Sequence, residues 1–541
     1  VTSRSQPSPG SRPDERLVHL EVDGRSVSIP DDGSTLLDVL RERLGITSVK
    51  DGCSPQGQCG CCTVLVDGAP RVACVTPVRR VAGRHIETPD GLPAERAAAW
   101  GTALCSTGGS QCGFCTPGIV MRLEGLTRGR RGTSEDHGAV ERALGAHLCR
   151  CTGWRTILEA WDLVAADAGV GAAEGARTAA SGERDLAAAE RRATIEGGVA
   201  QRVGSAVALG AGGFADDTCP DGALVAVPDG RGGWAMGETA TEARAAAGHV
   251  QGRRTTVPPE APLEVPDGEW CVELRTSWVE PAYLEPDASW CEPGGEPASS
   301  LGNGGAFGGK VTSPAAEVAR RLADEHGRAV RVLLTREDVV RMGPKRPPVA
   351  IGVRSDGTGI LRAVATEGLA GAVAPVAPGL VVEEVELAGP PTSIALRGAG
   401  WFEAAVAVAA ATGSNRIASP GGGSAEAEVD GDGRITVHVS CGSVLDEVVV
   451  RSYCIGAAHQ ALSWVTSESI AVDEAGGPLD LTIRSFGVLR ASAMPEVEIV
   501  IEDDGSDPVN GSDAVLAAVA LAVWRHQGLS PAWPTGVALR P

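Results

Sequence analysis

No stretch of this sequence approaches the roughly 18 consecutive apolar residues that a membrane-spanning helix needs. The longest run, residues 514–524, has eleven. Basic residues are also scarce, with 48 Lys and Arg against 69 Asp and Glu and a net charge of −21. Such a surface repels a phosphate backbone and an anionic bilayer, so neither nucleic acid nor membrane is an expected partner. The acidic excess reads as a solvated face. Residues 1–16, VTSRSQPSPGSRPDER, lack the apolar stretch of a secretory signal, and a soluble, cytoplasmic protein is expected. The nine histidines form no HxxxH or HExxH pair, so His19, His85, His147 and His459 read as ordinary surface or core residues. An evenly spread disulfide framework is missing too. Ten of the fifteen cysteines lie between Cys53 and Cys151, and Cys219, Cys271, Cys291, Cys441 and Cys454 are scattered. Clustered thiolate ligands in a reducing compartment account for that distribution better than disulfides do.

What is present is densest at residues 111–154, which open QCGFCTPG and close HLCRCTGW. The four cysteines Cys112, Cys115, Cys149 and Cys151 form a CxxC and a CxC. Each pair can turn two thiolates into one small pocket, which makes a four-sulfur metal site the economical reading; buried thiols or disulfides are the alternative. A second set lies upstream in VKDGCSPQGQCGCCTVLVDGAPRVAC, with Cys53, Cys59 and Cys62 on a glycine-rich loop and Cys74 on the second strand of a hairpin. Backbone N–H groups of such a loop can approach the sulfurs of an electron-rich [2Fe–2S] cluster and tune its potential. Structural zinc also accepts four cysteines and is the competing metal.

At 541 residues the chain has room for two to four domains. Residues 17–30 alternate apolar and polar about Asp23–Gly24, a hairpin signal. Ser34 is expected to cap a helix over TLLDVLRERLG, with Leu36, Leu37, Leu40 and Leu44 on one face and Gly45 as its stop. Strand, strand, helix and cysteine loop describe a ferredoxin-like unit over 17–92. From 93 to 170 the pattern turns helical, with helices expected at 94–105, 119–126, 140–148 and 156–166, the cysteines at their ends, where thiolates gain from the helix dipole. Residues 171–197 read as a tether or loose surface helix. Short strands then alternate with helices over 198–541, an α/β region.

These residues resemble a known family. The tandem VKDGC…QCGCC…C and QCGFCTPG…CRCTGW is similar to the iron–sulfur region of the molybdenum hydroxylases, the xanthine dehydrogenase and aldehyde oxidoreductase family. The resemblance implies a multi-domain α+β protein made of a β-grasp ferredoxin-like domain, a four-helix [2Fe–2S] domain and an α/β molybdopterin-binding-like domain. It implies that Cys53, Cys59, Cys62 and Cys74 hold one [2Fe–2S] cluster and Cys112, Cys115, Cys149 and Cys151 a second. Gln111 corresponds to a glutamine that hydrogen-bonds the pterin of a molybdopterin cofactor. Cys61 stands where the family usually has a small residue, and five residues rather than four separate Cys53 from Cys59. The ligand is therefore Cys61 or Cys62. In the second half, RVGSAVALGAGGFADD, WVEPAYLEPDASW, SLGNGGAFGGK, VRVLLTREDVVRMGPKRPP and IALRGAG follow in family order. The glycine loop with Gly304, Gly305, Phe307 and Gly308, and Arg397, are the cofactor- and substrate-side residues so implied. Tyr283 reads as core or site and Glu285 as surface or site.

The implied activity is oxidation of an N-heterocycle, purine-like, or of an aldehyde with water, electrons leaving through two clusters. No flavin-binding segment separates the halves, so the implied partners are a small-molecule substrate and a separate FAD-containing subunit or other electron acceptor; oligomerisation is compatible with the sequence. Two departures stand out. Asn510–Gly511 occupies the place of the glutamate that serves the family as base, and Asn cannot take a proton; Asp507 and Asp513 are the nearby carboxylates. Val311 follows GGAFGGK where purine-oxidising members carry glutamate. A silent electron-transfer or assembly subunit is the alternative reading, and a zinc scaffold a third.

Overall fold

Residues 17–129, 136–168, 184–248, 255–300 and 305–539 are described by the structure, a computed structural model. At the front, β1 (Leu17–Val22) and β2 (Arg25–Pro30) pair antiparallel from Leu17↔Pro30 to Val22↔Arg25. Asp23 and Gly24 both adopt positive φ, 50° and 76°, as the tight two-residue turn demands. Together with β3 (Thr63–Val66), β4 (Ala69–Val72) and β5 (His85–Glu87) they form one sheet in the order β2-β1-β5-β3-β4. β5 runs parallel to β1 and antiparallel to β3, so the sheet grips the helical turn α1 (Leu36–Asp38) and its wider continuation over Val39–Arg43. The cap of α1 is Thr35 and not Ser34: Thr35 and Asp38 exchange a reciprocal capping box. Ser34 is engaged by Asp32 instead, at 2.5 Å. Cys74 lies just past β4, in the helical turn Ala73–Val75, rather than on the strand.

Four helices follow: α2 (Ala94–Thr107), α3 (Thr116–Arg128), α4 (His137–Leu144) and α5 (Arg155–Ala168). α4 ends four residues earlier than the sequence pattern suggests, which frees 145–151 to bring two cysteines into a loop. α2 packs on α5 through Trp100 and Trp161, ring centroids 6.4 Å apart. Of the tether or loose surface helix expected here, the described part is a helix, but a docked one: α6 (Leu186–Gly197) has Ala188, Ala189, Arg192, Ala193 and Glu196 buried. Its small residues leave no visible stripe in the sequence because alanine carries a weak hydrophobic signal, yet alanine permits close approach of α6 to α7 (Glu447–Thr466).

The remainder carries three sheets. The first is built from β6 (Leu224–Pro228), β7 (Trp234–Gly237), β9 (Ala288–Cys291) and β10 (Val330–Leu333), in the order β7-β6-β10-β9. The second joins β8 (Val272–Thr276), β11 (Val349–Val353), β12 (Gly359–Val364), β13 (Leu380–Val385) and β18 (Ala532–Trp533) in the order β13-β12-β11-β8-β18. In the third, β14 (Arg416–Ala418), β15 (Ser424–Val429), β16 (Ile435–Ser440) and β17 (Val497–Glu502) lie in sequence order. Against the third packs α8 (Ser512–His526), which also lies on α7. The apolar run 514–524 is thus the buried body of a core helix. Among the described residues no helix is long and apolar enough to cross a membrane.

His459, on α7, is fully buried and bonds the Leu489 carbonyl through Nε2 at 3.0 Å. Desolvation holds its imidazole down to about 4, against about 6.5 in an unfolded chain. As the pH falls the unfolded chain takes the proton first, so the contribution of this group is complete above about pH 6.5 and declines toward pH 4. Between pH 7.5 and 5 the expected loss is about 2 kcal/mol. His459→Gln, which keeps a donor without titrating, should remove that part of the acid slope in thermal unfolding. An unchanged slope would assign the acid sensitivity elsewhere.

Candidate functional site

The first thiol set is built on the loop between α1 and β3. Cys53, Cys59, Cys61, Cys62 and Cys74 are each at most 2 % exposed. Gln56 and Gln58 donate backbone N–H groups to Cys53 Sγ at 3.1 and 3.5 Å, and the N–H of Cys74 points to Cys62 Sγ at 3.4 Å. Thiol contacts join Cys53 to Cys59 and Cys74, Cys62 to Cys74, and Cys59 to Cys61. The loop is gripped from two sides by the larger half. Arg336 bonds the carbonyls of Gly52 and Leu284 at 2.8 and 3.0 Å, and Arg244 reaches Asp51 and Ser54 at 3.0 and 3.1 Å. On the other side Gln56 bonds Leu481 O at 2.8 Å and Arg484 bonds Gln58 O at 2.9 Å.

The second set converges from two helix ends. Cys115 occupies the N-cap position of α3, with Pro117 in its first turn. Cys149 and Cys151 sit on the loop between α4 and α5. Cys112 and Cys151 lie 3.7 Å apart, Cys115 contacts Cys149, and Thr152 Oγ1 is 3.1 Å from Cys149 Sγ. The hydrogen bond from Cys115, supported by Thr152, draws the Cys149 thiol down to about 6, toward the thiolate that a metal requires. Among the described residues no three or more His, Cys, Asp or Glu are gathered to hold a metal ion. In the second set the thiols stand as two pairs, Cys112 with Cys151 and Cys115 with Cys149, a donor set suited to a two-iron cluster with one pair for each iron. The two sets meet where α3 abuts the first loop: a Cβ on Gly118 would come 2.4 Å from Gly60 O and 2.7 Å from Cys61 O.

Beyond the second set lie two adjoining pockets. The one of about 370 Å³, partly open to solvent, is lined by Gln111, Gln201, Val449, Ser452 and Tyr453. Gln111 Nε2 donates to Cys151 O at 3.0 Å and Ser452 Oγ at 2.9 Å. Gln111 Oε1, Gln201 Oε1 and the Tyr453 hydroxyl are buried without a hydrogen-bond partner. Three such orphans in one pocket are costly unless a ligand satisfies them. They suit the N–H edge of a pterin ring.

The pocket of about 250 Å³ is lined by Arg150, Gly305, Phe307, Arg346, Arg397, Gln460 and Trp464. Gly305, at φ +76°, lies so close to the second set that a Cβ would stand 2.7 Å from Cys151 Sγ. A Cβ on Gly308 would strike Ala395 O at 1.7 Å, so only glycine lets the loop reach the Arg397 segment. Gly304 lies outside the described residues. Arg397 stacks 4.7 Å over the Phe307 ring, and Phe307 meets Tyr453 edge-on at 6.4 Å.

The carboxylates are accounted for. Asn510 accepts the N–H of Asp513 at 2.9 Å and so closes the first turn of α8. Asp513 is held by Arg397 Nε at 2.7 Å, and Asp507 is exposed. Glu196, from α6, accepts the N–H groups of Gly511 and Ser512 at 3.1 and 2.9 Å and pairs with Arg192 at 2.5 Å. Glu285 is buried on Lys310 at 2.5 Å, Tyr283 is a buried residue bonded to Asp287, and Val311 is 56 % exposed. Gln201, Tyr453, Gln460 and Glu196 escaped the sequence reading. Glu196, Tyr453 and Gln460 are isolated polar residues within helices and Gln201 lies in the loop after α6, so none carries a spacing signal.

Two family descriptions match the front of the chain: "2Fe-2S iron-sulfur cluster binding domain" over residues 18–79 and "[2Fe-2S] binding domain" over 88–162. A probable xanthine dehydrogenase subunit from Bacillus subtilis is 38 % identical over 123 residues, 23 % of this chain and 69 % of that protein. The xanthine dehydrogenase of Emericella nidulans is 42 % identical over 150 residues, 26 % of this chain and 11 % of its own. The match thus spans about a tenth of such full-length relatives. Over nearly the whole chain the fold is similar to two aldehyde oxidoreductase structures, from Desulfovibrio gigas (TM-score 0.64, 16 % identity) and Desulfovibrio desulfuricans (TM-score 0.65, 15 % identity). Each likeness covers 94 % of this chain and 97 % of the other.

Proposed function

Because the chain belongs to the xanthine dehydrogenase and aldehyde oxidoreductase family of molybdenum hydroxylases, we propose that it oxidises a planar N-heterocycle or an aldehyde with water and passes the electrons out through its two [2Fe–2S] clusters. The observation that carries this reading is the contact chain from the Phe307–Arg397 pocket through Gly305 to Cys151 and on through Gly118 to the first cysteine loop. Cys112, Cys115, Cys149 and Cys151 hold the inner cluster. Cys53, Cys59, Cys62 and Cys74 hold the outer one. A separate FAD-containing subunit or other acceptor takes the electrons from there.

The orphaned acceptors on Gln111 and Gln201 and the Tyr453 hydroxyl are what a molybdopterin needs at its ring edge, and Gly305 lets the loop that carries Phe307 approach Cys151 closely. When bound, that cofactor supplies the two-electron acceptor for oxidation of the substrate by water. The protein's own part is positional. Phe307 gives a flat wall, Arg397 lies across it, and Leu396, Pro281 and Trp464 line the apolar part of the pocket.

One observation favours a second reading, a silent electron-transfer subunit. Asn510 caps a helix where the family's base stands, Asp513 is tied to Arg397, and Glu196 is sealed by Arg192 and two N–H groups. None is a free base. Metal analysis and EPR on anaerobically purified, dithionite-reduced protein separate the readings. About four irons per chain and two distinct [2Fe–2S] signals are expected in both cases. Stoichiometric molybdenum with turnover of an aldehyde or N-heterocycle supports hydroxylation. Molybdenum at background with iron intact would leave the electron-transfer subunit. Fewer than two irons, or stoichiometric zinc, would overturn both.

A further inference from the structure

The first site holds five buried thiols, and a plant-type cluster takes four. Their contacts divide them unevenly. Cys53 meets both Cys59 and Cys74, and Cys74 also meets Cys62, so these four form the connected set assigned to the cluster above. Cys61 is left over, and its contact is with Cys59. Both sulfurs lie against the same wall of the loop: a Cβ on Gly52 would stand 3.0 Å from Cys59 Sγ and 3.0 Å from Cys61 Sγ, with Leu284 O at 3.2 Å. Cys59 and Cys61 flank Gly60, whose φ of +78° is a backbone conformation that other residues rarely adopt. The segment from Cys53 to Cys59 has five residues between its ends. Cys61 is 1 % exposed, so no solvent ligand competes with it.

We propose that Cys61 is a reserve ligand for the iron held by Cys59, taking the place of Cys59 when that thiolate is lost or displaced. This rests on the reading that Cys53, Cys59, Cys62 and Cys74 form the outer site. The exchange is redox-neutral. The Fe–Sγ bond of Cys59 breaks, an Fe–Sγ bond to Cys61 forms, and the Cys61 proton passes to Cys59 along the contact between them. Cluster charge is unchanged because one thiolate replaces another.

The test uses the full chain, assembled anaerobically, with iron analysis and EPR after dithionite. Cys59→Ala and Cys61→Ala should each retain about four irons, whereas Cys59→Ala/Cys61→Ala and Cys53→Ala should fall to about two. The inner-cluster signal, unchanged in all four, reports that the chain has folded. The outer signal of Cys59→Ala should be shifted from wild type. Cys59→Ser should superimpose on Cys59→Ala if Cys61 binds in both, and should differ from it if the serine oxygen binds instead. Cys59→Ala with about two irons and an intact inner signal would overturn the reserve role. A Cys59→Ser variant whose outer signal is unchanged when Cys61→Ala is added would do the same, even if the alanine variant fails to fold, because Cys61 would then not be a ligand in it. A double variant that keeps its outer signal would instead overturn the ligand assignment on which the proposal stands.

Discussion

Alanine in place of Arg150 is expected to lower the unfolding free energy by about 3–5 kcal/mol, the range for stripping one partner from a buried ion pair. Arg150 and Glu468 form a two-pronged pair at 2.5 and 2.9 Å, with side chains 3 % and 0 % exposed. Trp464 Nε1 also donates to Glu468 at 3.0 Å, and the guanidinium of Arg346 stacks 3.7 Å over the same indole. Without Arg150 the carboxylate stays buried with one neutral donor. Arg150 lies between two cysteines of the inner set, so its loss also frees the loop that carries them. Urea unfolding followed by tryptophan fluorescence measures the effect. Arg150→Met/Glu468→Leu should recover most of the stability, since two apolar side chains leave no charge behind. A loss below about 1 kcal/mol in Arg150→Ala would mean that water reaches the pair and screens it.

The second large effect concerns iron. Cys112→Ser should reduce the content from about four to about two per chain and abolish one [2Fe–2S] EPR signal while leaving the other. Cys112 faces Cys151 at 3.7 Å, at the end of the set nearest Gln111 and Gly305. Its loss should therefore also stop electron flow from the Phe307 pocket while the outer cluster stays reducible by dithionite. Retention of both signals would show that the inner ligand set is misassigned. Loss of both would place the two clusters in one cooperative unit, an outcome compatible with the close contact of Gly118 and Gly60.

Local features of the fold were legible wherever the signal lies in neighbouring residues. Asp23–Gly24 and Asp67–Gly68 turn hairpins because both positions take positive φ. The helices around the cysteines were legible from apolar periodicity, although Thr35 displaced Ser34 as cap because Asp38 lies at the spacing that completes a capping box with it. The segment over 186–197 was legible as a tether or loose surface helix, but its docking was not. Its burial depends on alanines meeting α7, and on an Arg192–Glu196 pair whose partners are carbonyls of Cys441, Ser443 and Val509 far along the chain.

The sequence alone determined the cysteine inventory and the tandem order of the two sets, because spacing and residue type are properties of the chain. Tertiary structure decided how those residues are used. Which thiols pair, that Cys61 lies beside Cys59, that Asn510 caps a helix and that Gln111, Gln201 and Tyr453 leave unpaired atoms in one pocket all depend on contacts between segments up to hundreds of residues apart. Such contacts form only when packing brings distant elements to a few ångströms, and burial then sets the cost of every polar atom left without a partner.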